Sequence, residues 1–373
     1  MSNRSPINLL TETLKFEEPI TWAGAFPRGQ EFCFATESGN LWRWNASRRG
    51  LSPPLKVIES GEPINGVAFT DDLMVVSTPG EVVIRKLARE GSGEPPEFIF
   101  RGGAHGVIAS EGGRVLAPMG GAGLLLIQPL PEGRHARTTI KARDQSPYFY
   151  RTVQIGKSHQ GVEFFASAGR NDGVILTQTG QQQGPGMINI LKPREDSRFT
   201  GLDSVDLCSL NRPDCPLGLA ILGMDGSVHL SGDIMAGSMA SLVFPEMKGT
   251  PYSVHCAQDM LFLLTSEKLY AMRGVVERLL TGHWSDESWP TRSMDLDAVG
   301  CTIVDDEYLL IILEDRITVT MISDLFGPRS GTHPWRDEAT GSMRSIASGL
   351  TRNRIDTQPI DPTEISSEIM AFA

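Results

Sequence analysis

One pattern governs what this chain can fold into. A short apolar strand, a tight turn, a second apolar strand, another turn and further strands recur along the sequence at a near-constant period. The first copy runs from Ile20 to Ser60 as ITWAGAF, QEFCFATES, NLWRWNA and LKVIES. The second reads INGVAFT, LMVVSTPG, EVVIRKL and EFIF; the third AHGVIAS, GRVLAPM, AGLLLIQP and RTTIKA; the fourth YFYRTVQI, GVEFFASAG, NDGVILTQT and MINILK. SVDLCSL, LGLAILGM, DGSVHLSG and SLVF make a fifth. YSVHCAQ, MLFLLTS and EKLYAMRG begin a sixth, whose outer strand lies within VVERLL or TRSMDL. AVGCTIV, EYLLIILE and DRITVTMIS make a seventh that stops one strand short. Counted at the second hairpin, the copies fall at Gly39, Gly80, Gly123, Gly173, Gly226, Glu267 and Asp315, with spacings of 41, 43, 50, 53, 41 and 48.

That period, about 40 to 50 residues with four strands each, is the period of a β-propeller blade. The 39 glycines and 24 prolines match the many tight connections, and helical periodicity is nearly absent before the C-terminus. The expected fold is all-β: a seven-bladed β-propeller over residues 1–323. The missing strand of the last copy has a donor in NLLTETLKF, residues 8–16, so an N-terminal strand is expected to complete the last blade and close the ring.

The copies resemble the WD40-type seven-bladed β-propeller family. Trp44-Asn45 in NLWRWNA stands where that family places Trp-Asp. Asp225-Gly226 and Asn171-Asp172-Gly173 look like its Asp-Gly hairpin, and Gly282-His283 resembles its Gly-His dipeptide. The resemblance covers about residues 8–323. It implies, by analogy, an interaction platform.

Composition narrows the partners. The net charge is -11 and no basic run exceeds pairs such as Arg48-Arg49, which argues against nucleic acid and anionic membranes as partners. MSNRSPINLLTETLKFEEP has no apolar stretch of signal-peptide length, and LLLI and YLLIIL are too short to span a bilayer, so a soluble, cytoplasmic protein is expected. Five scattered cysteines without CxxC or Cys/His ligand spacing read as buried free thiols.

Two groups of residues remain as candidates. Around a central channel, the inner strands bring Trp22, Asn65, His105, Arg151, Asp206, His255 and Gly300 to similar levels. His105, Asp206 and His255 are the residue types of a divalent-metal site, but the best register sets the two histidines one position apart, so that only one faces the channel. No GxSxG, Walker A, HExxH or CxxC motif occurs, and no cofactor, catalytic residue or metal ligand is assigned. The second group would contact a partner: Trp284 and Trp289 in the polar insert at residues 282–293, Arg43, Arg48 and Arg49, and the C-terminal stripe Ile365, Ile369 and Phe372. Trp42 and Trp44, two apart on one strand, are expected to pack between blades.

After residue 323 the β pattern ends. Residues 324–373 read as an extension made of a linker and a short amphipathic helix at 362–372, with Asp361 as N-cap, Pro362 at the first helical position and Glu364 three residues after the cap. The function expected is a non-enzymatic protein-interaction scaffold or regulatory subunit binding one or more proteins. The alternative is a propeller hydrolase or lyase with a polar or metal site at the channel mouth.

Overall fold

The computed structural model describes residues 12–25, 31–44, 55–70, 73–87, 98–102, 104–110, 113–119, 123–129, 135–140, 149–157, 162–169, 173–179, 188–191, 204–210, 212, 215, 217–233, 240–243, 247–281, 291–295, 298–304, 306–313, 316–326, 336–337, 344–346, 357–358 and 365–370. Strands are numbered in chain order, beginning with β1 (Glu12–Lys15). The next four, β2 (Ile20–Ala25), β3 (Phe32–Thr36), β4 (Asn40–Trp44) and β5 (Leu55–Glu59), form an antiparallel sheet in sequence order.

The same up-and-down sheet recurs. It is built from β6 (Gly66–Phe69), β7 (Leu73–Ser77), β8 (Glu81–Lys86) and β9 (Phe98–Arg101), then from β10 (Ile108–Ala109), β11 (Val115–Pro118), β12 (Leu124–Pro129) and β13 (His135–Ile140). A fourth holds β14 (Phe149–Lys157), β15 (Glu163–Gly169), β16 (Gly173–Thr179) and β17 (Ile188–Leu191), and a fifth β18 (Ser204–Ser209), β19 (Leu219–Gly223), β20 (Val228–Ser231) and β21 (Ala240–Val243). The sixth has β22 (Pro251–Ala257), β23 (Met260–Thr265), β24 (Lys268–Arg273) and β25 (Thr291–Asp295). Its outer strand is therefore TRSMD, while VVERLLT forms the short helix α1 (Val275–Thr281). In the seventh, β26 (Ala298–Val304), β27 (Tyr308–Leu313) and β28 (Arg316–Met321) are joined by β1, which runs antiparallel to β28 from Glu12 opposite Val319 to Lys15 opposite Arg316.

The sheets stack face against face, and this explains their composition. A strand covered on both sides needs no polar face and reads as a continuous apolar run. In β3 every residue is buried. Phe32 and Phe34 pack toward the seventh sheet with Ile312 and Val319, whereas Cys33 and Ala35 pack toward the second with Met74 and Val76. β23 repeats the arrangement, with Leu261 and Leu263 against the fifth sheet and Met260, Phe262 and Leu264 against the seventh. Alternation thus sorts residues between two neighbours rather than between core and water. Each such large side chain contributes roughly 1.5–3 kcal/mol of burial.

The first strands of the sheets are neighbours in turn: β2 with β6, β6 with β10, β10 with β14, β14 with β18, β18 with β22, β22 with β26, and β26 with β2. In five of them the pairing skips one residue near the start, at Thr21, Tyr150, Val205, Tyr252 and Val299. Such a bulge re-aims the side chains that follow it.

The C-terminal region departs from expectation. Four strands, β29 (Arg336–Asp337), β30 (Arg344–Ile346), β31 (Thr357–Gln358) and β32 (Ile365–Met370), each add a fifth strand outside β25, β21, β17 and β13 in that order. The expected helix at 362–372 is thus corrected. Residues 365–370 are a strand, paired from Ile365 opposite Ile140 to Met370 opposite His135. The spacing of Ile365 and Ile369 is four, which is one face of a helix and also one face of a strand. An isolated helix of about eleven residues is marginal, while the open edge of β13 offers a complete ladder.

Candidate functional site

The inner strands surround a cavity of about 570 Å³. Its wall includes Trp22, Asn65, His105, Arg151, His255 and Gly300, together with Gln154, Cys208, Cys256, Cys301, Thr302 and Asp306. Asp206 lies behind this wall, 1% exposed. The bulges correct the alignment of these residues. Counted from the skipped residue, Trp22, Arg151, Asp206, Ser253 and Gly300 are equivalent, and His255 falls two positions deeper along β22.

Asp206 joins three sheets. Its Oδ1 accepts from Arg151 Nε at 2.7 Å and its Oδ2 accepts from the Val254 amide at 3.0 Å. The carboxylate beside it holds Arg151 above its ordinary pKa, so the guanidinium stays charged. The Arg151 side chain is 45% exposed, yet that exposure is to the channel.

Similar clasps link the other sheets. Thr21 donates to the Ile64 carbonyl at 2.7 Å, and Asn65 donates to the Ala104 carbonyl at 2.6 Å while accepting from Ser77. Glu163, wholly buried, accepts from Ser110 and from Arg114, so the third and fourth sheets share one carboxylate. Of the cavity-lining residues, Thr21, Asn65 and Arg151 thus hold neighbouring inner strands together.

His255 differs. Burial pushes its pKa down to about 4, against the pull of Asp206 and with the help of Arg151, so the ring is neutral at pH 7. Its buried Nε2 has no hydrogen-bond partner among the described residues. The Trp22 ring lies over Gly24, so close that a Cβ there would sit 2.6 Å from Cζ2. Cys301 has its thiol pushed up to about 12 by burial, and Cys208 is raised by burial and by a thiol hydrogen bond with Cys256. These thiols remain protonated and unreactive. All five cysteines are buried and unbridged.

The metal reading of His105, Asp206 and His255 is not supported by their placement. Both Asp206 oxygens are occupied, and among the described residues no group of three His, Cys, Asp or Glu is placed to hold an ion. One cluster that sequence reasoning missed, Asp225, Ser227 and His229, has the residue types of a hydrolytic triad. Its order is wrong: Ser227 Oγ bonds both Asp225 Oδ1 at 2.6 Å and His229 Nε2 at 2.9 Å, so the histidine is not oriented by the carboxylate. Burial favours a raised Asp225 carboxyl, but the Ser227 hydroxyl and amide bonds outweigh it and bring the pKa below its usual value. The group ties the hairpin between β19 and β20.

Of the candidate partner contacts, Arg43 is ion-paired with Glu31 and only 22% of its side chain is exposed. Trp44 is 5% exposed and packs with Trp42 against Leu310, Ile312, Ile317 and Val319 of the seventh sheet. Ile365 and Ile369 belong to β32. Arg48, Arg49, Trp284, Trp289 and Phe372 lie outside the described residues. Among the described residues, the large exposed apolar ones are Ile99, Met224 at 64% and Tyr252 at 49%. No motif announces them. No described helix is long and apolar enough to cross a membrane.

A scan against protein families finds no match, and no curated protein matches the sequence. Among solved structures, the chain is similar to the crystal structure of the WD40 β-propeller domain of Doa1, with 11% identity, a TM-score of 0.57, and coverage of 83% of this chain and 95% of that one. Repeated four-stranded sheets, sheet-on-sheet cores and that likeness together give the chain the fold of a WD40-type β-propeller.

Proposed function

We propose that this chain is a seven-bladed propeller closed by β1 and that it serves as a protein-interaction scaffold or regulatory subunit. The observation that carries the scaffold reading is the pair Met224 and Tyr252, exposed at 64% and 49% on adjacent sheets. Met224 sits in the hairpin between β19 and β20. Tyr252 is the bulged residue beside Pro251, which pairs with Thr265 at the corresponding hairpin of the sixth sheet, so both lie at one end of the sheets. An exposed Tyr and an exposed Met on one rim are the residue types of a partner contact. The channel offers the hydrolase or lyase reading little, because Asp206 is buried behind the wall and held by Arg151 and the Val254 amide.

The proposed partner is one or more proteins and not nucleic acid, in keeping with the charge of -11. The insert at 282–293 with Trp284 and Trp289 is a second candidate contact, and the extension from residue 324 a third. The test is a native-lysate pull-down of the intact chain beside a Met224→Ser/Tyr252→Ser variant and a chain ending at Gly327, which retains the buried Leu325. A stoichiometric partner held by the intact chain and lost in the double variant supports the reading. A partner held equally by all three removes both the rim and the extension as contacts, and no partner for the intact chain overturns the proposal.

A further inference from the structure

We infer that the outer edge of β9 is an interface between two copies of this chain, joined antiparallel about Ile99. β9 ends the second sheet, and among the described residues no strand pairs with its outer side. The sheets that follow it differ. β13, β17, β21 and β25 each carry an antiparallel strand of the C-terminal region, so the outer edges in this molecule do accept an added strand. β9 is the next edge in that series, beside the one that β32 covers. The first and seventh sheets also end in open strands, β5 and β1, but charged side chains are exposed on both. Lys56 and Glu59 form an ion pair on β5, and Lys15 stands on β1; such charges keep an edge strand from pairing. β9 instead exposes Ile99, at 52%.

The backbone of β9 supplies the groups a second strand needs. The Gly102 N–H donates to the Gly80 carbonyl at 3.0 Å, and the pairs Val82 with Phe100 and Ile84 with Phe98 follow it at alternate positions. Antiparallel bonds alternate residue by residue, so Phe98 and Phe100 bond toward β8 while the N–H and C=O of Ile99 and Arg101 point outward. The sequence selects the occupant. Residues 97–101 read EFIFR, which reversed is its own charge complement. Two copies set antiparallel about Ile99 place it opposite itself in a hydrogen-bonded pair, Phe98 opposite Phe100 of the second copy, and Glu97 opposite Arg101 at both ends. Opposite charges across a ladder favour this register, and any slip breaks both pairs. The arrangement is two-fold, so each edge is used once and growth stops at the dimer. A ladder of about five residues a side is a small contact, which makes the dimer weak and reversible.

Sedimentation velocity of the intact chain is expected to show monomer at about 1 μM and dimer at about 200 μM. Ile99→Lys sets two like charges opposite each other in mid-ladder and is expected to weaken dimerisation roughly 10-fold. Glu97→Arg and Arg101→Glu each bring like charges together at both ends, so either variant alone is expected to stay monomeric. Mixed in equal amounts they restore a dimer, because one copy then carries arginine at both ends and the other glutamate. Circular dichroism melting checks that each variant is folded. The inference is overturned if the intact chain remains monomeric at about 200 μM, if Ile99→Lys or either charge variant dimerises as the wild type does, or if mixing the charge variants restores nothing. All three variants leave Met224 and Tyr252 in place, so partner retention at the rim is scored separately.

Discussion

Asp206 is small and 1% exposed, and it ties three sheets together through Arg151 and the Val254 amide. Replacing it with alanine removes the partner of Arg151 and orphans the Val254 amide, so Asp206→Ala is expected to cost about 2–4 kcal/mol in urea unfolding. Arg151→Met destabilises in the same direction. The double variant costs less than the two together, because the buried charge left behind by either single change is then absent. His255 makes a prediction about pH. Its pKa falls from 6.5 unfolded to about 4 folded, so between those values the unfolded chain binds more protons. Its contribution to stability is therefore complete above pH 6.5 and is lost as pH drops toward 4. Asp206 moderates the loss and Arg151 adds to it. Melting temperature followed from pH 7.0 to 4.5 is expected to fall more for the wild type than for His255→Gln; parallel curves would remove the histidine as the cause.

Individual strands show how closely the sheets approach. A Cβ at Gly66 would sit 2.8 Å from Gly106 Cα and 2.8 Å from the Val107 amide, both backbone atoms that cannot rotate away. Gly66→Ala is expected to part β6 from β10 and cost about 1–3 kcal/mol. Gly300→Ala is the control, since its nearest neighbour is Ile312 Cδ1 at 3.5 Å, an ordinary contact. Strand order was legible in the sequence because hairpin residues such as Gly39 and Gly226, each with φ near +80°, punctuate it at a fixed period. Trp42 and Trp44 were legible too, since two positions apart on a strand means one face. The bulges were not. A skipped residue is a backbone event that no side-chain pattern records, and it displaced His255 from the level of Asp206 to two positions deeper. Strand β32 was hidden by an accident of arithmetic, its isoleucine spacing serving either period.

For the whole molecule, the seams matter most. Residues 1–16 supply β1 and also Phe16, whose ring centroid lies 4.2 Å from that of Phe34. Deleting them opens the β28 edge, and the melting temperature is expected to drop by roughly 5 °C or more, with partial recovery on adding a peptide of residues 8–16. A deletion with unchanged melting would show that the last sheet does not need its fourth strand. In a chain ending at Gly327, the outer edges of β13, β17, β21 and β25 lose their covering strands, and light scattering is expected to show more self-association than for the intact chain. The pairing of β1 with β28 also imposes an order in time. Glu12 leaves the ribosome some three hundred residues before its partner Val319, roughly 15–60 s at ordinary rates of synthesis. For that interval the first strand made has nowhere to go, and whatever shields it meanwhile becomes part of how this protein is born.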